Sequence, residues 1–198
     1  MPRYVDHELR RGAILKAALS ILASDGVDGL TFRNLASKVG GSSTTVITHY
    51  YSTQRELIDD LNERLTAQWV EEIASIKISA DNPRERLRQL LMWLVPGSDD
   101  VTAERARIHI LAQTSSDSVF RASFRRWDKM MRQHLGEELQ ALVPSERVDD
   151  LLDLLRVFTG GVVLSVLEHP SDWPEERQQS VVDSLVQLVD MLPSTNPD

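Results

Sequence analysis

Cysteine is absent from all 198 residues, which excludes disulfides, thiolate metal sites and cysteine nucleophiles outright and fits a reducing compartment. Aromatic residues are scarce, at 6%. No apolar run approaches the length that crosses a bilayer. The N-terminal stretch MPRYVDHELRRGAILKAALSILASDG carries charges before and within its apolar positions, so it reads as neither signal peptide nor membrane span. A soluble cytoplasmic protein is the default expectation. Alternating β-branched stretches with hairpin turns are missing, and so is any repeat of fixed period. Catalytic signatures are missing too. The five histidines (His7, His49, His109, His134 and His169) include no HExxH and no other close pair at metal-ligand spacing. There is no GxSxG elbow, phosphate-cradling glycine loop or paired-carboxylate motif. Asp149-Asp150 and Glu175-Glu176 read as solvated helix N-termini. Neither an enzyme nor a resident metal or cofactor is expected.

What is present is helical periodicity from end to end. Hydrophobic residues make up 41% and charged residues 26%, enough for a sizeable core. Ile14, Ala17, Ala18, Ile21 and Leu22 recur at helical spacing in a segment from about Asp6 to Ser24, ended by Asp25-Gly26. Thr53-Gln-Arg-Glu56 is a capping box ahead of Leu57, Ile58, Leu61, Leu65 and Trp69, and that pattern continues to about Ile78. Asn82-Pro83 opens a helix stopped by Pro96-Gly97. Two more follow, over about Val101–Ser115 and Ser118–Leu142. A strongly apolar one starts at Pro144-Ser145 and ends at His169-Pro170, and the last runs from about Pro174 to Leu192. Nine helices, all α, is the expected fold. It comprises a three-helix head over residues 1–53 and a six-helix domain over residues 54–198.

The most informative stretch is Thr31 to Tyr51, TFRNLASKVGGSSTTVITHYY. Phe32, Leu35, Ala36 and Val39 form one apolar helical face, with Thr31 as N-cap. Gly40-Gly41 stops that helix. Ser42 and Ser43 can cap a second helix near Thr44, with Val46 and Ile47 available for the core. Its outward residues are Ser43, Thr44, Thr45, Thr48, His49, Tyr50 and Tyr51, whose hydroxyls, imidazole and phenols suit base edges and phosphate oxygens. This reads either as a DNA-binding helix-turn-helix or as an ordinary helical corner with a polar outer face. The charge distribution supports the first reading. Against a net charge of −8, residues 1–55 hold seven Lys/Arg and four Asp/Glu for +3, while the rest hold 15 bases and 26 acids for −11.

At the other end, Gly160-Gly161 interrupts an otherwise strong helix, at about 1 kcal/mol per glycine relative to alanine. Another backbone packing there would explain it. Gly160, Gly161 and Leu164, with Val181, Leu185 and Leu188 of the last helix, are the expected homodimer interface, a four-helix bundle across a two-fold axis. The alternative is an internal hairpin.

The head resembles the tetracycline-repressor (TetR) family of transcriptional regulators. The resemblance rests on T-x-x-x-L-A-x-x-V-G-G-S from Thr31 to Ser42, then STTVITHYY and Tyr51-Ser-Thr-Gln-Arg-Glu-Leu57, and spans roughly residues 8–65. It implies a homodimeric, ligand-responsive regulator, a repressor, that binds a palindromic operator and is released by a small molecule. Carried over by position, the resemblance implies that Ser42, Ser43, Thr44, Thr45, Thr48, His49, Tyr50 and Tyr51 form the DNA face. It also implies that Thr31, Arg33 and Gln54 reach phosphate. The chain has one residue more than usual between the turn glycine and the terminal aromatic, so either Tyr50 or Tyr51 fills the aromatic slot. Gln54 stands near a common lysine. An effector pocket would lie among the middle helices, where Trp69, Trp93, His109, Trp127, Met130, Met131 and Phe158 are the large or polarizable candidates, each also suited to core packing. Arg125, Arg126 and Arg132 suit either an anionic ligand or a solvated face. The rival function is a helical protein–protein interaction module that does not bind DNA.

Overall fold

A computed structural model describes residues 7–40, 43–95, 97, 101–115 and 119–192, with the side chains of 119 and 120 excepted. Among the described residues every regular element is helical. They are α1 (His7–Gly29), α2 (Phe32–Lys38), α3 (Thr45–Thr48), α4 (Gln54–Ser79), α5 (Pro83–Leu94), α6 (Val101–Gln113), α7 (Val119–Gln140), α8 (Ser145–Glu168) and α9 (Glu175–Asp190), with a single 3-10 turn over Pro170–Asp172. The all-α expectation holds.

Two compact units result. Met1–Thr66 with Asp100–Phe124 form one, and Ala67–Asp99 with Arg125–Asp198 form the other. The division expected between residues 53 and 54 coincides with the start of α4, whereas the first unit continues through the first turns of that helix to Thr66. The first three helices by themselves bury too little apolar surface to stand alone. Leu57, Ile58 and Leu61 of α4, with Ala106 and Ile110 of α6, complete a core around Ile14, Ala18, Leu22, Leu35 and Ile47.

Local chemistry explains the boundaries in this unit. The Thr31 hydroxyl accepts from Asn34 N at 3.2 Å, and Gly40 takes φ +77° to end α2. Thr53 Oγ1 accepts from Glu56 N at 3.1 Å, while the Glu56 carboxylate accepts from Ser52 N at 2.7 Å, a capping box displaced by one residue. The first helix passes its expected stop. α1 breaks at Gly26, with φ 68° and ψ −161°, and then resumes to Gly29. That backbone conformation is accessible essentially to glycine alone. The break strands the Val27 amide, and the side chain of Gln113, the last residue of α6, accepts from it at 2.8 Å.

In the second unit, Asn82 caps α5 by accepting from Glu85 N at 2.9 Å, and Leu87, Leu90 and Leu91 are fully buried. Arg84 pairs with Asp190 at 2.7 Å and Arg88 with Asp183, which ties α5 to α9. The buried carboxylate of Glu138 accepts from Arg86 at 2.8 Å.

The interaction that joins α1, Tyr51 and α4 within the first unit is ionic. Asp60 of α4 is only 7% exposed. Its two oxygens accept from Arg11 of α1, Nε to Oδ2 and Nη2 to Oδ1, each at 2.7 Å, and the Tyr51 hydroxyl donates to Oδ2. Arg64 lies 3.6 Å from the same carboxylate and bonds Glu8 at 2.6 Å. Burial pushes the Asp60 carboxyl upward, but the Tyr51 and Arg11 bonds outweigh it and hold the group below the ordinary aspartate value. Burial and the bond to Asp60 push the Tyr51 phenol up to about 12. Asp60 therefore contributes stability above the ordinary carboxylate range, lost as pH falls through its depressed value. Tyr51 contributes stability below about 10, lost as pH rises toward about 12. Tyr51→Phe should cost about 1.5–3 kcal/mol at neutral pH, the worth of a hydrogen bond to a charged group. Urea unfolding across pH should also show a flatter alkaline limb in Tyr51→Phe and a flatter acid limb in Asp60→Asn. Unchanged limbs would remove the clamp from the stability account.

Candidate nucleic-acid interface

Rotation of α3 about its axis decides what it shows to solvent. Ile47 is fully buried against the core of the first unit, and Tyr51, one helical turn later, is 3% exposed. Both side chains therefore point inward, and the short polar side chains around them point out. Ser43, Thr44, Thr45, Thr48 and His49 are exposed, Val46 and Tyr50 half-buried. The expectation that Tyr51 faces DNA is thus corrected. Its ring belongs to the core and its hydroxyl to Asp60, so Tyr51 fills the aromatic slot. Ser42 lies outside the described residues.

The hydroxyls on this face are organised among themselves. Ser43 Oγ accepts from Thr45 N at 3.2 Å and donates to Thr45 Oγ1 at 2.9 Å, while Thr48 Oγ1 donates to Thr45 O at 3.3 Å. The four-residue helix is shorter than expected, and His49 and Tyr50 lie in the turn that follows. Their rings meet edge-on at 5.2 Å. A third ring joins them from α1: His7 lies 5.9 Å from His49 and 5.8 Å from Tyr50, and its Nδ1 is 3.3 Å from the Tyr50 hydroxyl. Nothing in chain order signals His7 as a neighbour of this face.

Of the residues expected to reach phosphate, Thr31, Arg33 and Gln54 are all exposed. Thr31 is engaged as the N-cap. The Gln54 amide donates to Leu30 O at 2.7 Å and ties the first residue of α4 to the loop before α2. Arg33 supplies positive charge on the outer side of α2.

The second unit contains a small cleft bordered by Leu94 of α5, Trp127, Asp128, Met131 and Arg132 of α7, and Arg156 and Thr159 of α8. Trp127 and Met131 were among the expected pocket residues. Trp69 packs edge-on against Trp127 at 6.2 Å, behind the cleft lining. Trp93 turns its indole N–H to Glu72 at 2.8 Å, Phe158 is half-buried on α8 away from the lining, and His109 lies on α6 in the first unit. The cleft is therefore not built from those four. Its charged groups are paired: Arg156 bonds Asp128 at 2.8 Å with its guanidinium 5.7 Å over the Trp127 ring, and Arg132 bonds Asp153 and Asp149.

The pattern described as "BetI-type transcriptional repressor, C-terminal" matches residues 83–190, more than half of the chain. The chain belongs to the TetR family of transcriptional regulators. It is similar to the HTH-type transcriptional regulator PksA of Bacillus subtilis, 25% identical over 189 residues that cover 85% of this chain and 92% of that protein. Similarity to the regulator BetI of Vibrio campbellii is 19% over 186 residues, 92% and 93% of the two chains. Among solved structures, a putative transcriptional regulator from Saccharomonospora viridis in complex with choline shares the fold at TM-score 0.76, with 15% identity over 91% of this chain and 96% of that one. A transcriptional regulator from Rhodococcus sp. Rha1 does so at TM-score 0.72, with 20% identity over 92% and 99%.

This TetR-family regulator also carries uncovered apolar residues on α8 and α9. Leu154, Val157 and Leu164 of α8, with Leu188 and Met191 at the end of α9, are exposed, Val157 at 73% and Met191 at 77%. Gly161 lies among them, and a Cβ there would meet nothing within 4 Å. At Gly160 a Cβ would meet only Arg156 Nη1, at 3.7 Å. Val181 is half-buried. Leu185 corrects the expected interface, because at 4% exposure it packs inside its own unit with Val182, Val186 and Val189. Leu154, Val157 and Met191 were missed, although the spacing 154, 157, 161, 164 is a helical stripe readable in the sequence.

Proposed function

We propose that this regulator is a homodimeric repressor whose α2–α3 segment reads one half of a palindromic operator and which a small molecule releases. The observation that carries the reading is the rotation of α3. Ile47 and Tyr51 turned inward leave Ser43, Thr44, Thr45, Thr48 and His49 outward on one exposed face. Hydroxyls and an imidazole at the end of a helix-turn-helix are suited to base edges, while Thr31, Arg33 and Gln54 flank them for phosphate. The charge of residues 1–55, which hold α1 to α3, agrees: it is +3 against −11 for the rest of the chain, a balance that favours a defined DNA footprint over wrapping.

A second copy is the natural occupant of the face around Val157, Gly161, Leu164 and Leu188. A palindromic operator requires two heads, and a two-fold axis through this stripe would let the glycine backbone approach its equivalent closely. The effector is assigned to the cleft beside Trp127 and Met131. Choline occupies the Saccharomonospora viridis protein. In this chain Arg156 already holds the cation position over Trp127 and pairs with Asp128, so a cationic effector would have to displace it.

Thr48→Ala and His49→Ala should each weaken binding to a duplex enriched from a random-sequence library by about 1–3 kcal/mol, the range for one specific base contact, with the melting temperature unchanged. Loss of fold in either variant would make that side chain structural. A Val157→Asp, Leu164→Asp double variant should sediment as a folded monomer and lose cooperative binding to the enriched duplex. A wild-type chain that sediments as a monomer at micromolar concentration would refute the dimer.

A further inference from the structure

We propose that His7 is a positioning residue of the DNA-reading surface, which from the start of α1 sets the ring of His49 and the hydroxyl of Tyr50 at the angle in which α3 presents them. The inference rests on the DNA-reading assignment above. A four-residue helix holds its own side chains poorly, and His49 and Tyr50 lie in the turn beyond it, where the His49 ring is exposed and not held by helical packing. The exposed His49 imidazole would ordinarily sample several rotamers there and lose that freedom on binding, whereas the Tyr50 ring is half-buried against the core of the first unit and its hydroxyl is what remains to be set. Here the three rings close on one another at 5.2, 5.8 and 5.9 Å, and the Tyr50 hydroxyl has His7 Nδ1 within hydrogen-bond reach at 3.3 Å.

The placement of His7 follows from the clamp. His7 and Arg11 stand one turn apart on the same face of α1. Arg11 is held by Asp60, which also receives the Tyr51 hydroxyl, so that face addresses Tyr51 through Arg11 and Tyr50 through His7. Two adjacent tyrosines are thereby gripped from the same helix, one in the core and one at the surface. Preorganisation of this kind adds discrimination between sequences without adding a phosphate contact.

The test uses the full chain, the enriched duplex and a scrambled duplex of equal length, each titrated over a salt series. The wild-type chain must first prefer the enriched duplex; failure there overturns the DNA-reading assignment itself, whatever His7 does. Given that preference, His7→Ala should lose roughly three- to tenfold in affinity for the enriched duplex, the range of an aromatic pair. Affinity for the scrambled duplex, the slope with salt and the melting temperature should stay unchanged. His7→Asn, which keeps a polar atom near the Nδ1 position, should recover part of the loss. In a His49→Ala, Tyr50→Phe background, removing His7 should cost less than about twofold, since the groups it acts through are gone. An undiminished loss in that background, or a shallower salt slope in His7→Ala, would show that His7 touches DNA directly and overturn the proposal. No loss in His7→Ala would overturn it as well.

Discussion

A carboxylate with almost no exposure costs several kcal/mol unless its lone pairs are met, and Asp60 is met from three directions. Arg11 brings the first helix, Tyr51 the residue just past α3 and its turn, and Arg64 the next turn of α4. Because a guanidinium fork and a phenol hydroxyl impose direction as well as attraction, the network fixes how α1, α3 and α4 are turned. Apolar packing alone would allow Ile47 to be buried with some freedom of rotation. The Tyr51 bond removes that freedom, and the outward residues of α3 become a defined set.

The same geometry reaches the surface. The inward residues, Ile47 of α3 and Tyr51 just past its turn, are four positions apart, and Thr48 and His49 between them stay exposed. The head reaches adequate size only by taking in the first turns of α4 and the buried residues of α6. Gln113 closes the broken first helix at Gly26, which makes the end of α6 part of the head's own hydrogen bonding. Within the second unit, ion pairs between α5 and α9 hold the bundle while α8 keeps one apolar stripe bare.

Helix positions were legible in the sequence because apolar spacing and caps are local signals; Thr31, Asn82 and the Thr53–Glu56 box act where they were read. The outward set Ser43, Thr44, Thr45, Thr48 and His49 was legible for the same reason. What was not legible depends on partners distant in the chain. The choice between Tyr50 and Tyr51 turns on Asp60 and Arg11, and His7 approaches His49 across more than forty residues. Leu185 and Leu188 look alike in sequence, yet only the packing of α9 tells which one is inside. The large side chains expected to share one pocket divide between the cleft, core packing and a different unit, because size specifies burial but not which neighbours are met.

The central claim, that the exposed face of α3 reads DNA, is tested most directly by equilibrium binding of the full chain to its enriched duplex and to a scrambled one across a salt series. The affinity for the enriched duplex should fall linearly on a log–log plot, by about 0.9 in slope for each phosphate neutralised, and should exceed that for the scrambled duplex throughout. Absence of binding at low salt, or equal binding to both duplexes that does not respond to salt, would contradict it.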